Sequence, residues 1–82
     1  MMPAKIDHDT FVADSVVARE LGVSTMTLWR YDHDNKMIDA GWPAKIVMGR
    51  RNYRSRKALE EFKANMLRHA MLARKRGYTV AR

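Results

Sequence analysis

Asp14-Ser-Val-Val-Ala-Arg-Glu-Leu-Gly-Val-Ser-Thr-Met-Thr-Leu-Trp-Arg-Tyr31 is the stretch whose reading decides the fold. Asp14 can accept a hydrogen bond from the free N–H groups at a helix start, and Val17 and Leu21 then fall one turn apart on one face. Gly22 ends that helix, because glycine takes the left-handed conformation of a sharp turn without steric penalty. Ser24 is a ready N-cap for a second helix, so the turn is about three residues long. Ala18, four residues before the glycine, is small enough for two helices to cross closely. Val23, Leu28 and Tyr31 supply the apolar side of the second helix, which leaves Thr25, Met26, Thr27 and Arg30 facing outward. Together these residues read as a helix-turn-helix.

Working outward, residues 1–10 mix Pro, Asp, His and Lys without periodicity and are expected to form a flexible N-terminal arm, anchored by Phe11 and Val12. The second helix is expected from Thr25 to about Asp34. Asn35 to Gly41 breaks the pattern, with Met37 and Ile38 as core contacts and Gly41-Trp42-Pro43 as a stop, Trp42 being held extended by the proline after it. Lys45-Ile-Val-Met then reads as a short strand, Gly49-Arg50 as a two-residue hairpin turn and Arg51-Asn52-Tyr53-Arg54 as the return strand. Alternation should send two of Ile46, Val47 and Tyr53 inward, against the first helix. Ser55 caps a long helix reaching about Arg76, with Leu59, Phe62, Met66 and Ala70 on one stripe, and Gly77 ends it before a tail over 77–82. The expected fold is mostly α with a small β-hairpin, a winged helix-turn-helix spanning 11–76 with an extended C-terminal helix.

Composition narrows the function classes. A chain of 82 residues is one small domain, too short for a cleft enzyme of the usual kind. The lack of cysteine excludes disulfides, thiolate metal sites and thiol nucleophiles. No apolar run reaches membrane-spanning length and no signal-peptide pattern opens the chain, so a cytoplasmic protein without a membrane partner is expected. The net charge of +7 is unevenly divided: residues 1–40 carry four Lys and Arg against seven Asp and Glu, and residues 41–82 carry twelve against two. A basic half of that density attracts a polyanion, since each neutralised phosphate releases counterions from nucleic acid.

That basic half lies beside the helix-turn-helix, which points to double-stranded DNA. Residues in the first turn of such a second helix reach base edges in the major groove, and Ser24, Thr25, Met26, Thr27 and Arg30 are the recognition candidates. The plainer reading is an amphipathic helix in a three-helix core. Trp29 is read as packing on the long helix, with contact to the sugar-phosphate backbone as the alternative. On the hairpin, Arg50, Arg51, Asn52 and Arg54 project concentrated charge suited to a minor groove or flanking phosphates, and Lys45 and Arg56 are further phosphate candidates. The plainer reading there is a solvated hairpin. Asp32-His33-Asp34 reads as a solvated helix end, because neighbours in a helix do not converge on a metal and no fourth ligand is nearby. No catalytic residue, metal, cofactor or small-molecule substrate is expected. Met66, Leu67, Met71 and Leu72 exceed what a helix already anchored by Leu59 and Phe62 needs, and are a candidate oligomer or partner surface. The acidic first half of one copy could meet the basic second half of the next, giving a head-to-tail homo-oligomer along DNA.

Val17-Ala-Arg-Glu-Leu-Gly-Val-Ser24, Thr27-Leu-Trp-Arg30, Gly41-Trp-Pro-Ala-Lys-Ile46, Gly49-Arg-Arg-Asn-Tyr53 and the helix opening Ser55-Arg-Lys-Ala-Leu-Glu-Glu-Phe62 resemble, in that order, the small MerR-like winged helix proteins of phages and integrative elements. These include excisionases and AlpA-type regulators. The resemblance runs from Phe11 to Phe62 and departs from the pattern at Tyr31, where tryptophan is usual, and at Asp32-His33-Asp34. It implies a non-enzymatic factor that binds and bends attachment-site DNA and favours excision by a tyrosine integrase, often by loading several copies. Its recognition helix would be Thr25 to Arg30 and its wing Gly49 to Arg54. A transcriptional regulator at a promoter is the related alternative, and a protein-interaction module the alternative of another class.

Overall fold

The computed structural model describes residues 9–75. In chain order the elements are β1 (Phe11–Ala13), α1 (Asp14–Leu21), α2 (Thr25–Asp32), α3 (Asn35–Asp39), β2 (Ile46–Met48), β3 (Arg51–Ser55) and α4 (Arg56–Lys75). The protein is thus mostly helical, with a three-stranded antiparallel sheet and a long C-terminal helix. Residues 1–8 of the arm expected over 1–10, together with Gly77 and the tail, lie outside the described residues, whereas its last two residues are tied down: Asp9 accepts from the Lys57 N–H at 3.0 Å and the Thr10 carbonyl from the Arg56 N–H at 2.7 Å.

The α1–α2 connection is built as its residues dictate. Gly22 sits at φ 73°, the left-handed region, and the Val23 N–H donates to the Ala18 carbonyl at 2.9 Å. Ser24 caps α2, its Oγ accepting from the Thr27 N–H at 3.2 Å. Val17, Ala18 and Leu28 close the crossing between the helices in a core completed by Val12, Trp42, Leu59 and Phe62.

Several expectations are corrected around this crossing. Asp14 is the first residue of α1 rather than its cap; Ala13 holds the cap position without a side-chain bond. α2 stops at Asp32, and Asp34 caps the short α3 by accepting from the Lys36 N–H at 2.9 Å. Met37 packs on the core but Ile38 is exposed. Trp42 is the aromatic hub, edge-on to Tyr31 and Phe62 with ring centroids 5.1 and 5.2 Å away.

The sheet order is β1-β3-β2, so the expected hairpin gains a third strand at β1. Phe11 pairs with Ser55, Val12 with Arg54, and Ala13 with Tyr53. Across the turn at Gly49 and Arg50, Ile46 pairs with Tyr53 and Val47 with Asn52. Directly paired residues share a face, so this register places buried Val12 and Arg54 on one side and half-buried Ile46 and Tyr53 on the other. The inward position on β3 therefore belongs to an arginine, and Val47 is exposed.

Arg54 is fully buried, and all five of its N–H groups have partners. Nε and Nη2 donate to the Asp14 carboxylate at 2.9 and 3.1 Å, Nη1 and Nη2 to Asp32 at 2.6 and 3.2 Å, and Nη1 also to the Pro43 carbonyl at 3.0 Å. Its guanidinium lies 5.0 Å from the Trp42 ring centroid, and the Trp42 Nε1–H donates to Asp32 at 2.8 Å. Asp32 is therefore no solvated helix end. A carboxylate at a helix C-terminus opposes the helix dipole, and Arg54 supplies the compensating charge. Burial pushes the Asp32 carboxyl up, yet the bonds from Arg54 and Trp42 outweigh it and hold the group below the ordinary carboxylate range.

Ser55 caps α4, its Oγ accepting from the Ala58 N–H at 3.0 Å. Of the expected stripe, Leu59 and Phe62 are buried, whereas Met66 and Ala70 are exposed where the helix runs past the core.

Arg54→Met leaves two carboxylates facing each other without their cation, and should lower the unfolding free energy by about 3–5 kcal/mol near neutral pH in a urea titration. The sign with pH follows from the depressed Asp32 carboxyl: its contribution is present above the ordinary carboxylate pKa and is lost as pH falls through the folded value. The variant should accordingly lose less of its remaining stability on acidification than the parent. A parent-like urea midpoint would refute the clamp.

Candidate nucleic-acid interface

α2 and the β2–β3 hairpin face each other across an open cleft of about 800 Å³. Thr25 and Met26 line it from α2, and Lys45, Arg51 and Asn52 line it from the hairpin side. Residues far apart in sequence thus come together as one surface, because β3 is pinned at Arg54 to both the start of α1 and the end of α2. Asp14, Asp32 and Arg54 form the floor. Lys45 adds to the positive potential that depresses the Asp32 carboxyl.

The remaining recognition candidates divide. Ser24 and Thr27 are occupied with the helix cap, their hydroxyl oxygens 3.1 Å apart, and Thr27 is half-buried. Arg30 is exposed on α2 and Arg50 at the hairpin tip, both outside the cleft lining.

Two cationic candidates are corrected. Arg54 cannot reach a phosphate, since it is buried and every N–H is committed within the fold. Arg56 is not among the residues lining the cleft and sits in a cluster that ties α1 to α4. Its Nη2 and Nη1 lie 2.8 Å from Glu20 and 2.8 Å from Glu60, and Lys63 Nζ joins the same carboxylates at 2.9 and 3.2 Å. Two cations and two carboxylates neutralise each other there. The hydrogen bonds from Arg56 and then Lys63 lower the Glu20 pKa from 4.5 to about 2.

Trp29, expected to pack, instead lines the cleft and is 55% exposed. The signal was in the spacing: Trp29 follows Thr25 by four residues and Met26 by three, which places all three on one helix face, while Leu28 takes the inward side. Trp29 also contacts His33, with ring centroids 4.4 Å apart.

Met66, Leu67, Met71 and Leu72 are exposed on α4, 40–63% by residue, and none lines the cleft. Among the described residues no group of three His, Cys, Asp or Glu side chains converges as a metal site, and no helix is long and apolar enough to cross a membrane. No protein-family model, curated protein or solved structure matches this chain.

The Glu20 carboxyl should titrate with a midpoint near 2 by carbon-detected NMR, and return toward 4.5 in the Arg56→Ala/Lys63→Ala variant. Because the folded-state value is depressed, the stability this group contributes is complete above about pH 4.5 and is lost as the pH falls toward 2. A midpoint unchanged by the double substitution would show that these cations do not set it.

Proposed function

We propose that this chain is a double-stranded DNA-binding protein docking as a winged helix-turn-helix, with α2 in a major groove and the β2–β3 hairpin as the wing. One observation carries the reading: Thr25 and Met26 of α2 open onto the same cleft as Lys45, Arg51 and Asn52. Base-reading side chains need a helix narrow enough to enter the groove, and register on the duplex needs cations at its edge for the phosphates. Arg30 and Arg50, exposed and outside the cleft lining, extend the cationic reach. Arg54 and Arg56 leave the contact set.

The more specific role rests on the ordered sequence blocks that resemble excisionases and AlpA-type regulators. On that ground the protein is a recombination directionality factor of a prophage or integrative element, binding and bending attachment-site DNA to promote excision by a tyrosine integrase. It has no enzymatic step of its own. Control of transcription at a promoter uses the same DNA surface and is the second reading. The exposed Met66, Leu67, Met71 and Leu72 offer a surface for integrase or for a second copy, whereas a head-to-tail array would pair the acidic first half of one copy with the basic second half of the next, and an interaction module would use the basic C-terminal helix toward an acidic partner.

Gel-shift titrations on attachment-region DNA and on a scrambled duplex, at two salt concentrations, test the reading. Site-preferring shifts that persist at the higher salt are expected. Lys45→Ala/Arg51→Ala should weaken binding to both DNAs and flatten the dependence of log affinity on log salt by about two units, one for each phosphate that is no longer neutralised. Arg30→Ala should weaken binding to the attachment DNA more than to the scrambled one. Parent-like binding by all these variants would overturn the assigned surface.

A further inference from the structure

Met26 and Trp29 lie one helical turn apart on the outer face of α2, 59% and 55% exposed, while Leu28 between them is fully buried. Lone exposed apolar side chains are ordinary on a protein surface. These two are neighbours, and both line a cleft whose other wall carries Lys45 and Arg51. The second tryptophan shows the contrast, since Trp42 is 6% exposed and its N–H is bonded to Asp32.

Trp29 is also restrained before anything binds. Its indole lies against the His33 imidazole, centroids 4.4 Å apart and planes tilted by 40°, and His33 Nδ1 lies 2.9 Å from the Trp29 carbonyl oxygen, which fixes the imidazole in place. An aromatic ring held this way loses little further freedom on contact with a ligand.

Resting on the DNA-binding reading, we infer that Met26 and Trp29 select A·T base pairs beneath α2 by packing on the C5-methyl group of thymine. The cations on the facing wall call for a polyanion, and the apolar surface between them calls for an apolar group presented by that polyanion. In the major groove only thymine displays one. Lys45 and Arg51 take the flanking phosphates and set register, and the restrained indole converts register into base preference. Thr25, on the same face, is placed to touch the methyl or bond the neighbouring base. His33 is a positioning residue that acts through the ring of Trp29.

Uracil isolates the chemistry, because it keeps thymine's hydrogen-bonding edge and lacks the methyl. Fluorescence anisotropy would compare three duplexes of equal length at one salt concentration: alternating A·T, the same duplex with uracil for thymine, and alternating G·C. The parent should favour the thymine duplex over the uracil duplex by about fourfold for each methyl packed, the scale of one buried methylene. Trp29→Ala should bind the thymine and uracil duplexes equally, Trp29→Phe should keep part of the preference, and His33→Ala should reduce it while leaving binding to the uracil duplex unchanged. Circular dichroism melting confirms that each variant folds, as expected for exposed positions. Equal parent affinity for thymine and uracil duplexes, or a preference that survives Trp29→Ala, overturns the inference and leaves DNA binding intact. Failure of the parent to bind any duplex at low salt overturns the DNA-binding reading itself.

Discussion

One buried guanidinium organises this small protein. Arg54 bonds Asp14 at the start of α1, Asp32 at the end of α2 and the Pro43 carbonyl in the segment before β2, while packing beside Trp42. Three separate parts of the chain are fixed to one side chain of β3. An arginine can do this because its planar fork carries five donors in set directions, and a lysine cannot. Breaking such a group is costly because the partners left behind are desolvated charges, so the network matters more for the unique arrangement of the elements than for net stability. An apolar core built from Val12, Val17, Ala18, Leu28, Trp42, Leu59 and Phe62 supplies the cohesion. Such packing is non-directional, and it alone would not dictate the angle between the hairpin and α2.

The same network redistributes charge. The acidic first half and basic second half of the chain meet inside one molecule: Asp14 and Asp32 take Arg54, and Glu20 takes Arg56 and Lys63. What remains on the cleft side is carried by Lys45 and Arg51, with Arg30 and Arg50 exposed outside its lining. The formal charge of +7 therefore overstates the local attraction for a polyanion, and the placement of a few cations beside α2 matters more than the total.

α4 serves two purposes along its length. Its first two turns close the core through Leu59 and Phe62 and are tied to α1 by the Arg56 and Lys63 cluster. The rest runs beyond the body of the domain and displays Leu67 and Met71 on a face the fold does not cover. Helix propensity and the anchored first half sustain it, since each further residue adds a backbone hydrogen bond to a helix already nucleated.

The amino-acid sequence by itself determined the local structure: the left-handed turn at Gly22, the Ser24 and Ser55 caps, the two-residue turn at Gly49-Arg50, and burial of Leu28, Leu59 and Phe62. Each depends on backbone preference or on periodicity within a few residues, and both are written into neighbouring positions. Tertiary structure decided which charges are buried. Arg54, Arg56 and Arg51 look alike in sequence, yet one is the core clamp, one bridges two helices and one lines the cleft. That difference follows from the pairing of β3 with β1, which places Arg54 opposite Val12, and from the distant carboxylates of Asp14, Asp32 and Glu20. Electrostatic partners separated by 22 to 40 residues leave no periodic trace, so only the folded chain reveals them. Trp29 lies between the two cases: helical spacing placed it on the face of Thr25 and Met26, and only the hairpin's position turned that face into the wall of a cleft.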